Sequence, residues 1–189
     1  MQSSPSTVYS QSIDKQRIVV VGKTNSRIVE MILFVLNLYK RKVDYSTPIK
    51  EKISDSPLIV IEPDHSSNSA ADYNHHIVIF SQLSPGEKTV YSKLVDATPK
   101  SGIIIFEEGD PIAREITKVE RTDIFLNPVA MPKHDISTGK IVLISGTNEK
   151  VLTQLSNKDD LINLSLAKEV LKKVGTSSGQ FYKAISSFQ

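Results

Sequence analysis

Short, nearly all-apolar runs recur along this chain and predict buried strands. Six of them stand out, at Ile18–Val21, Leu58–Ile61, Ile77–Phe80, Ile103–Phe106, Ile124–Leu126 and Ile141–Ile144. Strands that are apolar on both faces are typical of a parallel sheet with helices covering both sides. The pattern therefore predicts an α/β fold, with a mostly parallel sheet flanked by helices.

Helical patterns separate several of these runs. Residues 28–40 are apolar almost all round, which predicts a well-buried helix directly after the first strand. Shorter helices are expected over 87–96 and 111–119. An amphipathic stretch over 158–174 stops at Gly175, and a last helix is expected over 179–188. Between 123 and 155 the turn residues predict shorter strands.

Composition limits the class of protein. The chain has 189 residues, of which 39% are hydrophobic, and this is enough for one substantial core. Residues 1–16 are rich in Ser and Gln and lack the apolar region of a signal peptide. We therefore expect a disordered tail over 1–16, a single domain over 17–189 and a cytoplasmic location.

The charges nearly cancel, with 23 basic and 21 acidic residues and a net charge of +2. A nucleic-acid or membrane partner is not expected, because no basic patch stands out in the sequence and no stretch is long enough to span a membrane. The chain contains no cysteine, so disulfides, thiolate metal sites and cysteine nucleophiles are excluded.

The segment from Ile18 to Ile28 has the strand-loop-helix layout of a phosphate-binding loop. Such a loop needs a Gly-rich turn, a Lys at the helix entry and a Ser or Thr for Mg²⁺. Gly22, Lys23 and Thr24 are residue types that such a loop contains. However, the predicted strand occupies the positions where the Gly-rich turn should lie. We interpret this Lys-Thr pair as a chance match, and an unusual nucleotide loop is the alternative.

Five landmarks, taken in their order along the chain, resemble the ATP-binding central domain of the Mur ligases. They are Val20-Val21-Gly22 with the long helix behind it, 60–64, 77–87, 99–106 and 157–163. The resemblance covers roughly residues 17 to 188 and no single motif in it is intact. Mur ligases couple ATP cleavage to amide formation in the synthesis of peptidoglycan precursors, so the resemblance implies a P-loop-like fold of that kind.

The resemblance also assigns positions to a nucleotide site. The family's loop Gly-Thr-Asn-Gly-Lys-Thr corresponds to Gly22, Lys23, Thr24, Asn25, Ser26 and Arg27. The phosphate Lys of the family is thus Ser26, and its Mg²⁺-binding Thr is Arg27. An Arg can neutralise a phosphate but cannot coordinate a cation.

Other motif positions are partly retained. Glu62 corresponds to a carboxylate that helps to hold Mg²⁺, and Asn163 to an Asn near the adenine. The family's Asn-x-x-x-Asp-His segment begins here at Gln82 and ends in Gly86-Glu87. We expect Gly22, Glu62, Gln82 and Asn163 to converge at the carboxyl ends of the strands, where α/β sheets bind ligands.

These departures favour a non-catalytic protein. The family's flanking domains, which present the reacting groups, lie outside the matched region, so independent ligase activity is not expected. We expect neither ATP nor Mg²⁺ as a cofactor, and an unidentified partner chain or self-association. The alternative is a nucleotide-binding protein, or a component of an ATP-dependent ligase, that keeps a modified phosphate site.

Three further groups are candidate sites in the sequence. Ser145-Gly146-Thr147-Asn148-Glu149-Lys150 resembles a phosphate loop, yet its place after a short strand favours a turn. Lys93 is interpreted as a surface lysine, although some Mur ligases carbamylate a lysine near this position. The densest group of metal-ligand types lacks regular spacing, so a solvated polar loop is favoured there. Its members are Glu62, Asp64, His65, Asp72, His75 and His76.

Overall fold

The apolar run at Ile18–Val21 lies in the middle of a seven-stranded sheet. A computed structural model, which describes residues 2–64 and 69–189, gives the strands as β1 (Gln16–Gly22), β2 (Asp44–Ser46), β3 (Glu51–Lys52), β4 (Leu58–Ile61), β5 (Ile77–Ser81), β6 (Ile103–Glu107) and β7 (Phe125–Val129). Their order is β3-β2-β4-β1-β5-β6-β7, and every neighbouring pair is parallel except β2 and β3. The predicted α/β fold with a mostly parallel sheet is confirmed.

Helices lie on both faces of this sheet: α1 (Pro5–Ser10), α2 (Asn25–Leu38), α3 (Lys88–Asp96), α4 (Pro111–Ile116), α5 (Asp160–Lys173) and α6 (Ser178–Ile185). The well-buried helix expected after the first strand is α2, which begins three residues earlier than predicted. Single 3-10 turns at Ala70–Tyr73 and Pro85–Glu87 complete this set. Among the described residues, no helix combines the length and the hydropathy that crossing a membrane requires.

The side chains of β1 enter two separate cores. Ile18 and Val20 pack with α2, α5 and α6, whereas Val19 and Val21 pack on the opposite face with α1, α3 and α4. All four are at most 6% exposed. Burying such a side chain contributes roughly 1.5–3 kcal/mol. Because β1 is buried on both faces, it gains this stabilisation from each of them, as a strand in the centre of the sheet can.

The sixth apolar run lies in a second sheet. It forms β9 (Lys140–Ile144), the middle strand between β8 (His134–Ser137) and β10 (Lys150–Leu152), and both pairings are antiparallel. Ile141 and Leu143 reach the core that α2 and α5 share. The connections on either side of β9 are too short for a parallel crossover, so β9 pairs antiparallel with both of its neighbours along the chain.

The amino-terminal segment differs from the disordered tail expected over residues 1–16. Helix α1 buries Val8 completely, in the core that also contains Tyr73. Before the helix, the side-chain amide of Gln2 donates to the backbone carbonyl of Glu62 at 2.8 Å. The composition concealed this packing because a six-residue helix buries only one apolar side chain.

Strand β7 forms one outer edge of the main sheet and contains Pro128. The N–H of Phe125 donates to the carbonyl of Gly102, just before β6, at 2.9 Å. Alternate residues of a parallel strand turn their backbone groups to opposite sides. Leu126 and Pro128 therefore turn theirs away from the sheet, toward solvent.

Candidate functional site

Gly22 ends β1 in a conformation that a side chain would not tolerate. Its φ is +115°, and a Cβ at this position would collide with the backbone carbonyl of Ser81 on the neighbouring β5. Lys23 and Thr24 follow, and α2 begins at Asn25. Glycine thus lets two strands and a very short connection meet at the carboxyl edge of the sheet.

Ser26 lies in the first turn of α2 and donates its hydroxyl hydrogen to Oε1 of Glu62. Glu62 follows the last residue of β4 and is only 6% exposed. A side-chain hydrogen bond therefore joins the start of α2 to the end of β4.

Arg27, the next residue of α2, binds Asp160 at the start of α5 at two points. Its Nε lies 3.1 Å from Oδ1 and its Nη2 lies 3.3 Å from Oδ2. Nη1 donates to Glu30 at 3.2 Å, and the guanidinium lies 4.6 Å from the ring centroid of Phe188. Burial opposes the charge, but the two carboxylates outweigh it and raise the pKa of Arg27.

Thr24 connects the same loop to the next turn of α5. Its hydroxyl donates to Oδ1 of Asn163 at 2.8 Å, and Asn163 is 1% exposed. A cleft of about 510 Å³ opens beside these contacts. The charged side chains that line it are Lys23, Arg27, Asp159 and Asp160.

The expected convergence of Gly22, Glu62, Gln82 and Asn163 is found. The loop after Gly22 contacts Glu62 through Ser26, Asn163 through Thr24, and the carbonyl of Gln82 through the backbone N–H of Lys23 at 3.3 Å. The loop therefore borders all three partner segments at the carboxyl ends of β4 and β5 and the start of α5.

Within the described part of the chain, the ammonium of Lys23 has no hydrogen bond or ion pair. The side chain is exposed at the mouth of the cleft. The side chain of Asn25 is instead buried, and its Oδ1 accepts the backbone N–H of Ser26 at 2.7 Å. Lys23 thus provides an exposed cation beside the cleft, and Asn25 provides a hydrogen bond within the first turn of α2.

The turn after β9 confirms one prediction. Ser145 Oγ accepts the backbone N–H groups of Thr147 and Glu149 at 3.3 and 3.0 Å, which closes a turn into β10. Lys93 is exposed on α3, as a surface lysine should be.

The metal-ligand types that lie within the described residues do not assemble into a metal site. His75 is buried with Nε2 2.9 Å from the hydroxyl of Thr98, and Nδ1 of His76 accepts the N–H of Arg17 at 3.1 Å. His65 lies outside the described residues. Among those that are described, no group of three or more His, Asp or Glu side chains could hold a metal ion.

Two contacts of the site were missed from the sequence. The sequence does not predict the pairing of Asp160 with Arg27, nor the contact of Gln2 with Glu62. No local pattern identifies the first of these contacts, because 133 residues separate Arg27 from Asp160.

Compared by sequence, the chain matches no protein-family model and no curated protein. Compared by structure, it resembles MurF from Acinetobacter baumannii, with a TM-score of 0.78 and 12% identity over 98% of this chain and 48% of that one. It also resembles a murein peptide ligase, Mpl, from Psychrobacter arcticus. The TM-score is 0.76 and the identity is 14%, over 97% of this chain and 49% of that one.

A third neighbour is MurF from Thermotoga maritima in complex with ADP, with a TM-score of 0.71 and 14% identity over 100% of this chain and 53% of that one. The chain therefore spans about half the length of these three enzymes. At such identities the likeness establishes the fold, and the predicted Mur ligase central-domain-like fold is confirmed.

Proposed function

We propose that this protein is a non-catalytic relative of the Mur ligase central domain, with an eroded ATP and Mg²⁺ site, and that it acts by binding a partner. One observation carries the proposal. Ser26 and Arg27, which occupy the positions of the family's phosphate Lys and Mg²⁺-binding Thr, are both engaged with other residues of the chain. Ser26 contacts Glu62, and Arg27 is paired with Asp160.

The charges of the cleft support this proposal. A bound triphosphate needs cations that are free to neutralise it. Arg27 already faces Asp160 and Glu30, which leaves Lys23 as the cleft cation without a described partner. Asp159 and Asp160 also line the cleft, so its cations and carboxylates are equal in number. A cleft with this balance attracts a polyanion weakly.

The oxygen ligands fit magnesium equally poorly. Mg²⁺ in nucleotide sites takes carboxylate, hydroxyl and phosphate oxygens. Here the hydroxyl position is taken by Arg27, and the carboxylate of Glu62 accepts a hydrogen bond from Ser26. No catalytic step through a magnesium nucleotide follows from these residues.

The proposed partner is another protein or a second copy of this chain. The near balance of charge, with a net of +2, gives no reason to invoke nucleic acid or a membrane surface. Because the structural neighbours are Mur ligases, cytoplasmic proteins of cell-wall precursor synthesis are the first partners to test.

A second candidate function rests on the cleft itself. It has a volume of about 510 Å³, it borders the start of the 14-residue helix α2, and Lys23 and Asn163 both line it. Backbone N–H groups at a helix start attract anions whatever the side chains are. The alternative is therefore a nucleotide-binding protein, or a component of an ATP-dependent ligase, with a modified phosphate site.

Calorimetry of the full chain with ATP, with and without Mg²⁺, decides between the two functions. We expect no saturable heat and no release of phosphate in a parallel hydrolysis assay. A micromolar, Mg²⁺-dependent ATP affinity that is abolished by Glu62→Ala would overturn the proposal. Sedimentation velocity of the same sample then distinguishes self-association from binding to another protein.

A restored variant tests the cause of the loss. In the double substitution Ser26→Lys and Arg27→Thr, an ammonium and a hydroxyl return to the family's positions. A charge-assisted contact is worth about 1.5–3 kcal/mol, so the affinity for Mg-ADP should rise at least about tenfold over that of the natural chain. The reciprocal order, Ser26→Thr and Arg27→Lys, is the matched control and should give no gain.

A further inference from the structure

A cavity between the β9–β10 turn, α5 and α6 is distinct from the cleft described above. It has a volume of about 280 Å³, and none of its lining residues also lines the cleft. Its inner wall is apolar and includes Leu143, Leu164 and Phe181, each at most 2% exposed. We refer to it as the α5–α6 cavity.

The polar side of the α5–α6 cavity is cationic. Lys133 and Lys168 both line it, and no Asp or Glu is among its lining residues. The ammonium of Lys168 donates to the hydroxyl of Tyr182 at 2.7 Å and lies 4.4 Å from the centroid of the same ring. Neither lysine pairs with a carboxylate within residues 2–64 and 69–189.

Neighbouring lysines show that this arrangement is not general on this surface. Lys173, on the same helix as Lys168, pairs with Glu169 at 3.4 Å, and Lys150 pairs with Asp135 at 2.8 Å. Lys168 is half-buried, and its ammonium group donates to the hydroxyl of Tyr182 rather than to a carboxylate. An ammonium partly removed from water without an anion is unfavourable, and a bound anion would supply the missing charge.

The turn that borders the cavity indicates which kind of anion fits. The N–H groups of Thr147 and Glu149 are turned inward to Ser145 Oγ, and that of Asn148 to the Ser145 carbonyl at 2.9 Å. These groups do not form the concave nest of N–H donors that cradles phosphate. The donors that line the cavity are instead side-chain groups, and they include the ammonium groups of Lys133 and Lys168, the hydroxyls of Ser165 and Tyr182 and the amide of Asn148. Without a nest of backbone donors, this set suits the smaller charge of a carboxylate.

We propose that the α5–α6 cavity binds a small carboxylate with an apolar body. The carboxylate is held by Lys168, with Lys133 at the rim, and the apolar body packs against Leu143, Leu164 and Phe181. Sites for small ligands commonly combine an apolar wall with a few polar groups that fix the orientation. The proposal does not depend on the non-catalytic assignment, because the two sites share no residue.

Phenylacetate and its neutral isostere phenylacetamide are suitable probes. Each is titrated into the ¹⁵N-labelled full chain, and amide shifts are followed by NMR. We expect phenylacetate to shift the amides of Gly146, Ser165 and Tyr182 with a dissociation constant near or below about 1 mM, and phenylacetamide to bind at least about tenfold more weakly. Phenyl phosphate, the third probe, should also bind more weakly than phenylacetate.

Lys168→Met keeps an unbranched side chain that is only one atom shorter and removes its charge, so it should weaken phenylacetate binding at least about tenfold. Lys172→Met is the matched control, since Lys172 is exposed on the same helix and does not line the cavity; it should leave the affinity unchanged. Equal binding of the acid and the amide, tighter binding of phenyl phosphate, no shift with any probe, or the same loss in both variants would overturn the proposal.

Discussion

Arg27 and Asp160 meet through two hydrogen bonds, at 3.1 and 3.3 Å, that join the first turn of α2 to the first turn of α5. Both helix starts border the cleft at the carboxyl edge of the sheet. A helix start is where an α/β protein commonly receives an anion. In this chain the side chains at the two starts bind each other, so the contact joins α2 to α5 at the border of the cleft.

Replacing Arg27 with alanine should destabilise the protein. The change leaves Asp160, which is 5% exposed, without its cation, and it removes the guanidinium from the ring of Phe188. Because the Arg27 side chain is 30% exposed, solvent reduces the effect, and we expect a loss of about 1–2 kcal/mol in the free energy of unfolding. Urea denaturation measures it. Arg114→Ala, at an exposed position of α4, is the control and should change it by less than about 0.5 kcal/mol. Equal losses in the two variants would contradict the structural role of the pair.

Gly22→Ala should be among the most damaging single changes. The φ of +115° and the collision with the Ser81 carbonyl oppose any Cβ, so we expect a loss of about 3 kcal/mol or more, or failure to fold. Circular dichroism and urea denaturation report the outcome. Gly86→Ala is the comparison, because nothing lies within 4 Å of a Cβ there. A Gly22 variant as stable as the Gly86 variant would show that the β1–α2 connection is described wrongly.

The free energy of unfolding should decrease as the pH is lowered, because the buried His75 resists protonation. Burial, followed by the charges of His76 and Arg17, lowers the pKa of His75 to about 4, from 6.5 in the unfolded chain. The unfolded state therefore binds the proton more readily, and the stabilisation that is present above pH 6.5 is lost as the pH falls toward 4. Between about pH 7 and about pH 5 this amounts to roughly 2 kcal/mol.

Urea denaturation at both pH values tests this prediction, with His75→Asn as the control that cannot titrate. The variant is expected to lose about 2 kcal/mol less than the natural chain over that interval, whatever its absolute stability. Carboxylates act equally in both proteins. One of them is Asp44: burial opposes its charge, but its hydrogen bonds to Ser54 lower the pKa of its carboxyl. Parallel pH dependences for the two proteins would rule out His75 as the cause.

The amino-terminal helix should contribute measurably to stability. Val8→Ala removes two methyl groups from a fully buried position, and we expect a cost of about 1–2 kcal/mol. Ile13→Ala, which shortens an apolar side chain that is 64% exposed, should cost much less. Thermal or urea denaturation of both variants provides the measurement. A Val8 variant with unchanged stability would return residues 1–16 to the disordered tail that their composition predicts.

The sequence predicted the elements with long apolar runs and missed α1, whose apolar burial is confined to Val8, and two short strands with little apolar pattern. Strand β2 contains Asp44, which is fully buried because Lys15 at 3.4 Å and the hydroxyl of Ser54 at 2.6 Å satisfy it. Neither partner can be recognised from a local pattern, since both belong to other segments. The two-residue strand β3 is equally hidden, because Glu51-Lys52 has no apolar periodicity.

The candidate site was predictable to the same extent. Its positions follow from the order of motifs along the chain, and the loop meets Glu62 and Asn163 as expected. Its chemistry depends on contacts that form only when distant segments pack, such as Ser26 with Glu62 across 36 residues. A substitution in a motif can be read from the sequence, whereas the new partner of the substituted side chain cannot.

Pro128 has a consequence for how copies of this protein can meet. On the outer side of β7 the available backbone groups belong to Leu126 and Pro128, and a proline has no N–H to donate. An incoming strand would therefore find a single donor on this edge, although Phe125 beside it is 59% exposed. The edge is therefore a poor template for the runaway strand addition that leads to fibrils, and an assembly on this side would draw mainly on side-chain contacts.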